Sequence, residues 1–138
     1  FNILGNGYKT KNIVSHIDDE GHDQFTKITF LYDHAVASAT VAKGVKSEGE
    51  LIVSGTKGYI YVPAPWWKTD YFEIRYEEAS QNKRYFYQLD GEGIRYELVA
   101  FTRAIESGRN LSYVDSNVSN RICEVVGDFY AQKDCAMI

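Results

Sequence analysis

The sequence predicts an α+β domain: an open, mostly antiparallel sheet of about six strands with two helices packed on one face. Three observations predict it. Between Phe25 and Leu89, apolar and polar side chains alternate with period two in short runs separated by turn residues. From Ile94 onward the apolar period lengthens to that of a helix, and does so twice. The 138 residues, 44% apolar and 25% charged, suffice for one packed core and not for two, so residues 1–138 read as a single domain.

Residues 1–24 are polar, with glycine at Gly5, Gly7 and Gly21, and read as irregular apart from a short extended piece near Ile13 to His16. Phe25 to Tyr32 is the first clear strand, with Ile28, Phe30 and Tyr32 on one face and Lys27, Thr29 and Leu31 on the other. Val36 to Ala42 alternates small residues, which lets a helix or a second sheet approach closely. Glu50 to Ser54 and Tyr59 to Val62 form a hairpin around Gly55 and Gly58, which can supply the positive φ of a tight turn. Tyr71 to Tyr76 sets Phe72, Ile74 and Tyr76 against Glu73 and Arg75, and after the Gln81-Asn82-Lys83 turn Arg84 to Leu89 makes a further strand. Ile94, Leu98, Phe101 and Ile105 then share a helical face that Gly108 closes. Asp115 or Ser116 caps a second helix carrying Val118, Ile122, Val125 and Phe129.

Large apolar or aromatic residues lie on both faces of the strands, and the helices cover only one. The other face is then too apolar for a monomer and predicts a two-fold homodimer through the open sheet. A net charge of −4 without a basic stripe argues against nucleic acid. No run of about 18 apolar residues is present to span a membrane. Phe1 to Asn12 lacks the order of a signal peptide and an initiating Met, so the chain reads as a fragment or a processed product. The Asn110-Leu111-Ser112 and Asn117-Val118-Ser119 sequons are read as chance matches. Cys123 and Cys135, if both on the last helix, stand roughly 18 Å apart, too far for a disulfide. Reduced thiols fit a cytoplasmic protein.

Most local motifs resolve into ordinary structure. Gly91-Glu92-Gly93 opens like a dinucleotide fingerprint, but Tyr96 stands where the third glycine belongs and no βαβ pattern surrounds it. Gly55-Thr56-Lys57-Gly58 leads into a strand, which makes it a hairpin turn rather than a phosphate loop. His16, His22, His34 and the Asp18-Asp19-Glu20 turn with Asp23 match no metal-ligand spacing. No nucleophile, base and orienting acid form a recognisable set. Catalytic, cofactor-binding and metal residues are therefore not assigned.

Pro65-Trp66-Trp67-Lys68 carries more. Adjacent tryptophans in a proline-bounded loop point in different directions, so at least one reaches a cleft or an interface, where an indole face stacks on a sugar ring or another aromatic. The alternative is that both plug the sheet edge. Lys46, Ser47 and Lys68 can hydrogen-bond hydroxyls or phosphate, though each alone is an ordinary surface residue. Arg95 and Tyr96 stand in the first turn of a helix, which favours anionic groups, against the plainer reading of capping and packing.

Four segments in order resemble one family: Asp23 to Phe30 with Tyr32 and Ala35 to Ala39; Gly49 to Ile60; Pro65-Trp66-Trp67-Lys68; and Gly91 to Gly108 with Tyr96-Glu97-Leu98, Phe101 and Ala104-Ile105. Together, over roughly residues 23–132, they resemble the C-terminal domain of the Gfo/Idh/MocA oxidoreductases, the glucose–fructose oxidoreductase and inositol dehydrogenase family. The resemblance implies the substrate-side and dimerising half of an NAD(P)-dependent enzyme acting on a sugar, polyol or sugar derivative. The N-terminal Rossmann domain, with its G-x-G-x-x-G and its Glu-Lys-Pro lysine, is not in this sequence, so this chain is expected to hold no cofactor and to turn nothing over alone. NAD or NADP is implied for the longer enzyme. By position, Lys46 and Ser47 resemble residues facing the family's substrate cleft, with Trp66, Trp67 and Tyr96 as further substrate-binding candidates. A reading of another class is a stand-alone carbohydrate-binding or scaffolding module without redox activity.

Overall fold

The computed structural model describes residues 1–91, 93–110, 112 and 114–138. Glu92, Leu111 and Tyr113 lie outside them, and with them the middle of the Gly91-Glu92-Gly93 run and of the Asn110-Leu111-Ser112 sequon. The class is α+β. Among the described residues, eight strands form two four-stranded sheets instead of one sheet of about six. The strands are β1 (Thr10–Ile17), β2 (Asp23–Leu31), β3 (Val36–Ala42), β4 (Leu51–Gly55), β5 (Gly58–Val62), β6 (Tyr71–Tyr76), β7 (Lys83–Phe86) and β8 (Cys135–Met137). The helices are α1 (Ile94–Ser107) and α2 (Ser116–Tyr130). The single domain expected over residues 1–138 comprises two compact units, Phe1–Lys46 with Tyr113–Ile138, and Ser47–Ser112.

In the first unit the order is β3-β2-β1-β8. β1, β2 and β3 are antiparallel neighbours, and β8 returns from the end of the chain to pair parallel with β1. The sequence pattern understated β1 for a physical reason. Its inward positions are Lys11, Ile13 and Ser15, all buried, so an apolar alternation never develops. Ser15 and Thr26 face each other across the β1–β2 ladder and share a buried hydroxyl–hydroxyl hydrogen bond of 2.6 Å. Phe1, Tyr8, Phe30 and Tyr32 form an aromatic cluster that ties the N-terminal segment to β2. Asp115 caps α2, its carboxylate accepting from the Asn117 N–H at 2.7 Å. Val125 is the buried apolar residue of that helix.

The second unit is a meander, β4-β5-β6-β7, antiparallel throughout. Its two faces differ. Leu51, Val53, Ile60, Val62, Phe72 and Ile74 share one by register; Tyr59, Tyr61, Tyr71, Glu73, Arg75 and Arg84 share the other. Gly58 is required by proximity more than by turn geometry. Its φ of 159° is nearly extended, but a Cβ there would lie 2.5 Å from the Arg75 carbonyl oxygen on β6. α1 ends as its sequence demands, with Gly108 in the left-handed region at φ 63°.

The two helices fall in different units rather than together on one sheet. The α1 stripe stays open, with Ile94, Leu98, Phe101 and Ile105 between 60% and 67% exposed. Cys135 lies on β8, beyond α2, and both thiols are free. No helix among the described residues is long and apolar enough to cross a membrane.

Candidate functional site

The tryptophan loop is built from the end of the β4–β5 hairpin. β5 stops at Val62, before Pro63 and Pro65, residues that lack the N–H a central strand needs. The Ala64–Pro65 peptide is cis. A tight turn follows, the Lys68 N–H donating to the Pro65 carbonyl at 2.9 Å. The Trp66 N–H then reaches back to the Gly49 carbonyl at 2.8 Å, closing the loop against the segment that leads into β4. The Trp67 ring packs over Gly49, where a Cβ would stand in ordinary contact with it at 3.4 Å.

Trp66 and Trp67 meet edge to face at 5.9 Å and 88°. They are 50% and 56% exposed, so neither plugs the core and each presents indole surface to solvent. Ser47, exposed, opens the same unit two residues before Gly49. Lys46, also exposed, is the last residue of the other unit's N-terminal segment. Tyr96 is committed elsewhere. Its hydroxyl accepts the Asp90 N–H at 2.9 Å, and neighbouring Arg95 pairs with the Asp90 carboxylate, so both residues of the first helical turn fasten the loop that enters α1.

A second array lies on the polar face of the second sheet. Glu73 bridges Arg75 and Arg84, accepting from Arg75 Nε at 2.6 Å and Arg84 Nε at 2.8 Å. The Arg75 guanidinium lies 4.3 Å from the Tyr61 ring centre and 5.9 Å from that of Tyr59, and Arg84 lies 4.8 Å from Tyr71. Hydrogen bonds from Arg75 and Arg84 hold the Glu73 carboxyl below its ordinary range, and Arg75 is raised by Tyr59 and Glu73. The Glu73/Arg75 alternation was visible in the sequence, but the cross-strand partners come from register.

The third group was missed altogether. Lys11 has a side chain only 3% exposed, and its Nζ lies 2.7 Å from Asp128 Oδ2 on α2 and 3.0 Å from Asp134 Oδ2 before β8. Burial pushes the Lys11 ammonium down, but the two carboxylates together outweigh it and leave it raised. The hydrogen bond from Lys11 correspondingly lowers Asp128. Nothing in local sequence could have found this cluster, because its members lie at opposite ends of the chain.

Gly91 and Gly93 have φ of 79° and 92°. The preceding strand β7 pairs antiparallel with β6, so these glycines do not occupy the strand–helix turn of a parallel βαβ unit. Among the described residues, no group of three or more His, Cys, Asp or Glu is placed to hold a metal ion. No protein-family model matches the chain, and no curated protein matches it.

Proposed function

We propose that this chain is the substrate-binding and dimerising part of an NAD(P)-dependent oxidoreductase acting on a sugar, polyol or sugar derivative, with the nicotinamide held by another domain of a longer protein. The exposed, edge-to-face Trp66–Trp67 pair, anchored to Gly49, carries the reading. Indole faces match the C–H faces of a sugar ring, and nearby Ser47 can hydrogen-bond its hydroxyls. The role of this chain is then to bind and orient the substrate. Tyr96 contributes by holding its loop, its hydroxyl accepting the Asp90 N–H.

The aromatic–guanidinium face of the second sheet and the open α1 stripe support association of two copies. A homodimer at micromolar concentration is the expected result of light scattering; a monomer at high micromolar concentration counts against it.

The reading is tested by the gene upstream of Phe1. About 150–200 codons opening on a strand, G-x-G-x-x-G and a helix would support it. A start codon just before Phe1 would instead favour a stand-alone carbohydrate-binding module. Calorimetry of the chain with NAD+ or NADP+ should show no binding, and tight binding would overturn the division of labour proposed here.

A further inference from the structure

We propose that the cavity between the start of β1, α2 and the α2–β8 turn is a binding site for a neutral polyhydroxylated small molecule, separate from the tryptophan loop. The cavity is about 420 Å³ and lies wholly within the first unit. Its floor is the buried Lys11 ammonium with Asp128 and Asp134. Its rim adds Arg121 paired with Glu124 at 2.6 Å, and Lys133, which stands 3.5 Å from Asp128.

Charge selects the ligand class. Four cations, Lys9, Lys11, Arg121 and Lys133, line it with three carboxylates, Glu124, Asp128 and Asp134, and each has a partner in the protein, Lys9 through Asp33 outside the lining. An anion entering here meets the carboxylates, a metal ion meets the cations, and either must break existing pairs. What remains unfilled is hydrogen-bonding capacity. Lys11 Nζ has three N–H donors and gives two. Asp134 and Glu124 each keep one carboxylate oxygen outside their ion pair. Tyr8 and Thr10 line the cavity, and neither hydroxyl has a hydrogen-bond partner among the described residues. Donors and acceptors are thus interleaved, with every charge already paired. A hydroxyl group, donor and acceptor at once, is the function that satisfies such an array, and a polyol carries several.

The walls are held in place. Arg121 lies over the Tyr8 ring at 5.3 Å, and Tyr8 stacks on Phe1 at 6.0 Å. Gln132 and Asp134, neither a glycine, both have φ of 54°, a costly backbone conformation of the kind that clusters at ligand sites.

The inference does not rest on the oxidoreductase reading, and its test separates the two. Backbone amide shifts are followed by NMR while the protein is titrated with sorbitol, and separately with sodium acetate and ammonium chloride. Sorbitol should saturate shifts at Thr10, Arg121 and Lys133 with a Kd on the order of millimolar, as suits a small polar ligand. A folded Tyr8→Phe/Thr10→Val variant, which keeps every ion pair, should bind about tenfold more weakly or worse. A Trp66→Ala/Trp67→Ala variant should bind sorbitol at this site unchanged. The proposal is overturned if these amides do not saturate, if acetate or ammonium saturates them instead, if the hydroxyl-deleted variant keeps full affinity, or if the tryptophan variant loses it. That last result would still support the tryptophan loop as a sugar site.

Discussion

Lys11 donates to Asp134 across 3.0 Å of space and 123 residues of sequence. With Asp128 it forms the polar link between β1, α2 and the approach to β8. The link contributes at both pH limits of stability, beside Asp18 and Glu73 on the acid side and Tyr32 on the alkaline side. Asp128 is held below its ordinary value of 3.8, so its contribution is complete above that value and fades as pH falls through the depressed one. Lys11 is raised above 10.5, so its contribution is complete below that value and fades as pH rises through the raised one. Denaturant midpoints against pH should show a plateau with an acid limb beginning near pH 4 and an alkaline limb above about 10.5. Lys11→Met should lower the plateau and flatten the alkaline limb. Stability that climbs below pH 4 would contradict the geometry.

Gly58 and Gly127 should respond oppositely to alanine. At Gly58 the new Cβ meets the backbone of β6, which cannot yield without moving the strand. A loss of about 1–3 kcal/mol is expected in urea melts. Gly127 sits inside α2 with nothing within 4 Å of its would-be Cβ, so Gly127→Ala should stabilise by up to about 1 kcal/mol.

Ser15→Ala strands the buried Thr26 hydroxyl and should cost about 1–3 kcal/mol. Ser15→Ala/Thr26→Val removes both polar groups, and should be less destabilising than the two single losses added together. Strict additivity in that double-mutant cycle would mean that the hydroxyl pair contributes no coupling.

Trp66 and Trp67 are the only tryptophans in the protein, so intrinsic tryptophan emission reports on this loop alone. Adding glucose should change that emission saturably. Removing either indole should weaken binding about tenfold, the scale of one lost aromatic stacking contact. Emission that ignores every sugar tried would argue that the loop serves an interface.

Asp115→Ala should cost about 0.5–2 kcal/mol, read by thermal melts, because the Asn117 N–H loses its acceptor.

Much of this was legible in the sequence. The β4–β5 hairpin, β6, the Gly108 stop and the Asp115 cap all lie where local chemistry puts them. β1 was read short because Lys11 and Ser15 occupy its inward positions, and β8 is only three residues long. Of the candidate site, Trp66 and Trp67 could be picked from sequence as adjacent indoles in a proline-bounded loop, but their exposure could not, since both could equally have plugged the sheet edge. Tyr96 could be picked too, but not its engagement with Asp90, which depends on how the loop folds back.

By itself, the sequence determined the α+β class, the order of hairpins and the helix ends at Gly108 and Asp115. Those features follow from period, caps and turns, which act over a few residues. Only the tertiary structure decided that the strands divide into two sheets, that β8 closes against β1, and that Lys11 meets Asp128 and Asp134. Those outcomes depend on which distant backbone edges pair and which charges are buried together. Neither the paired edge nor the buried partner leaves a local periodicity to read.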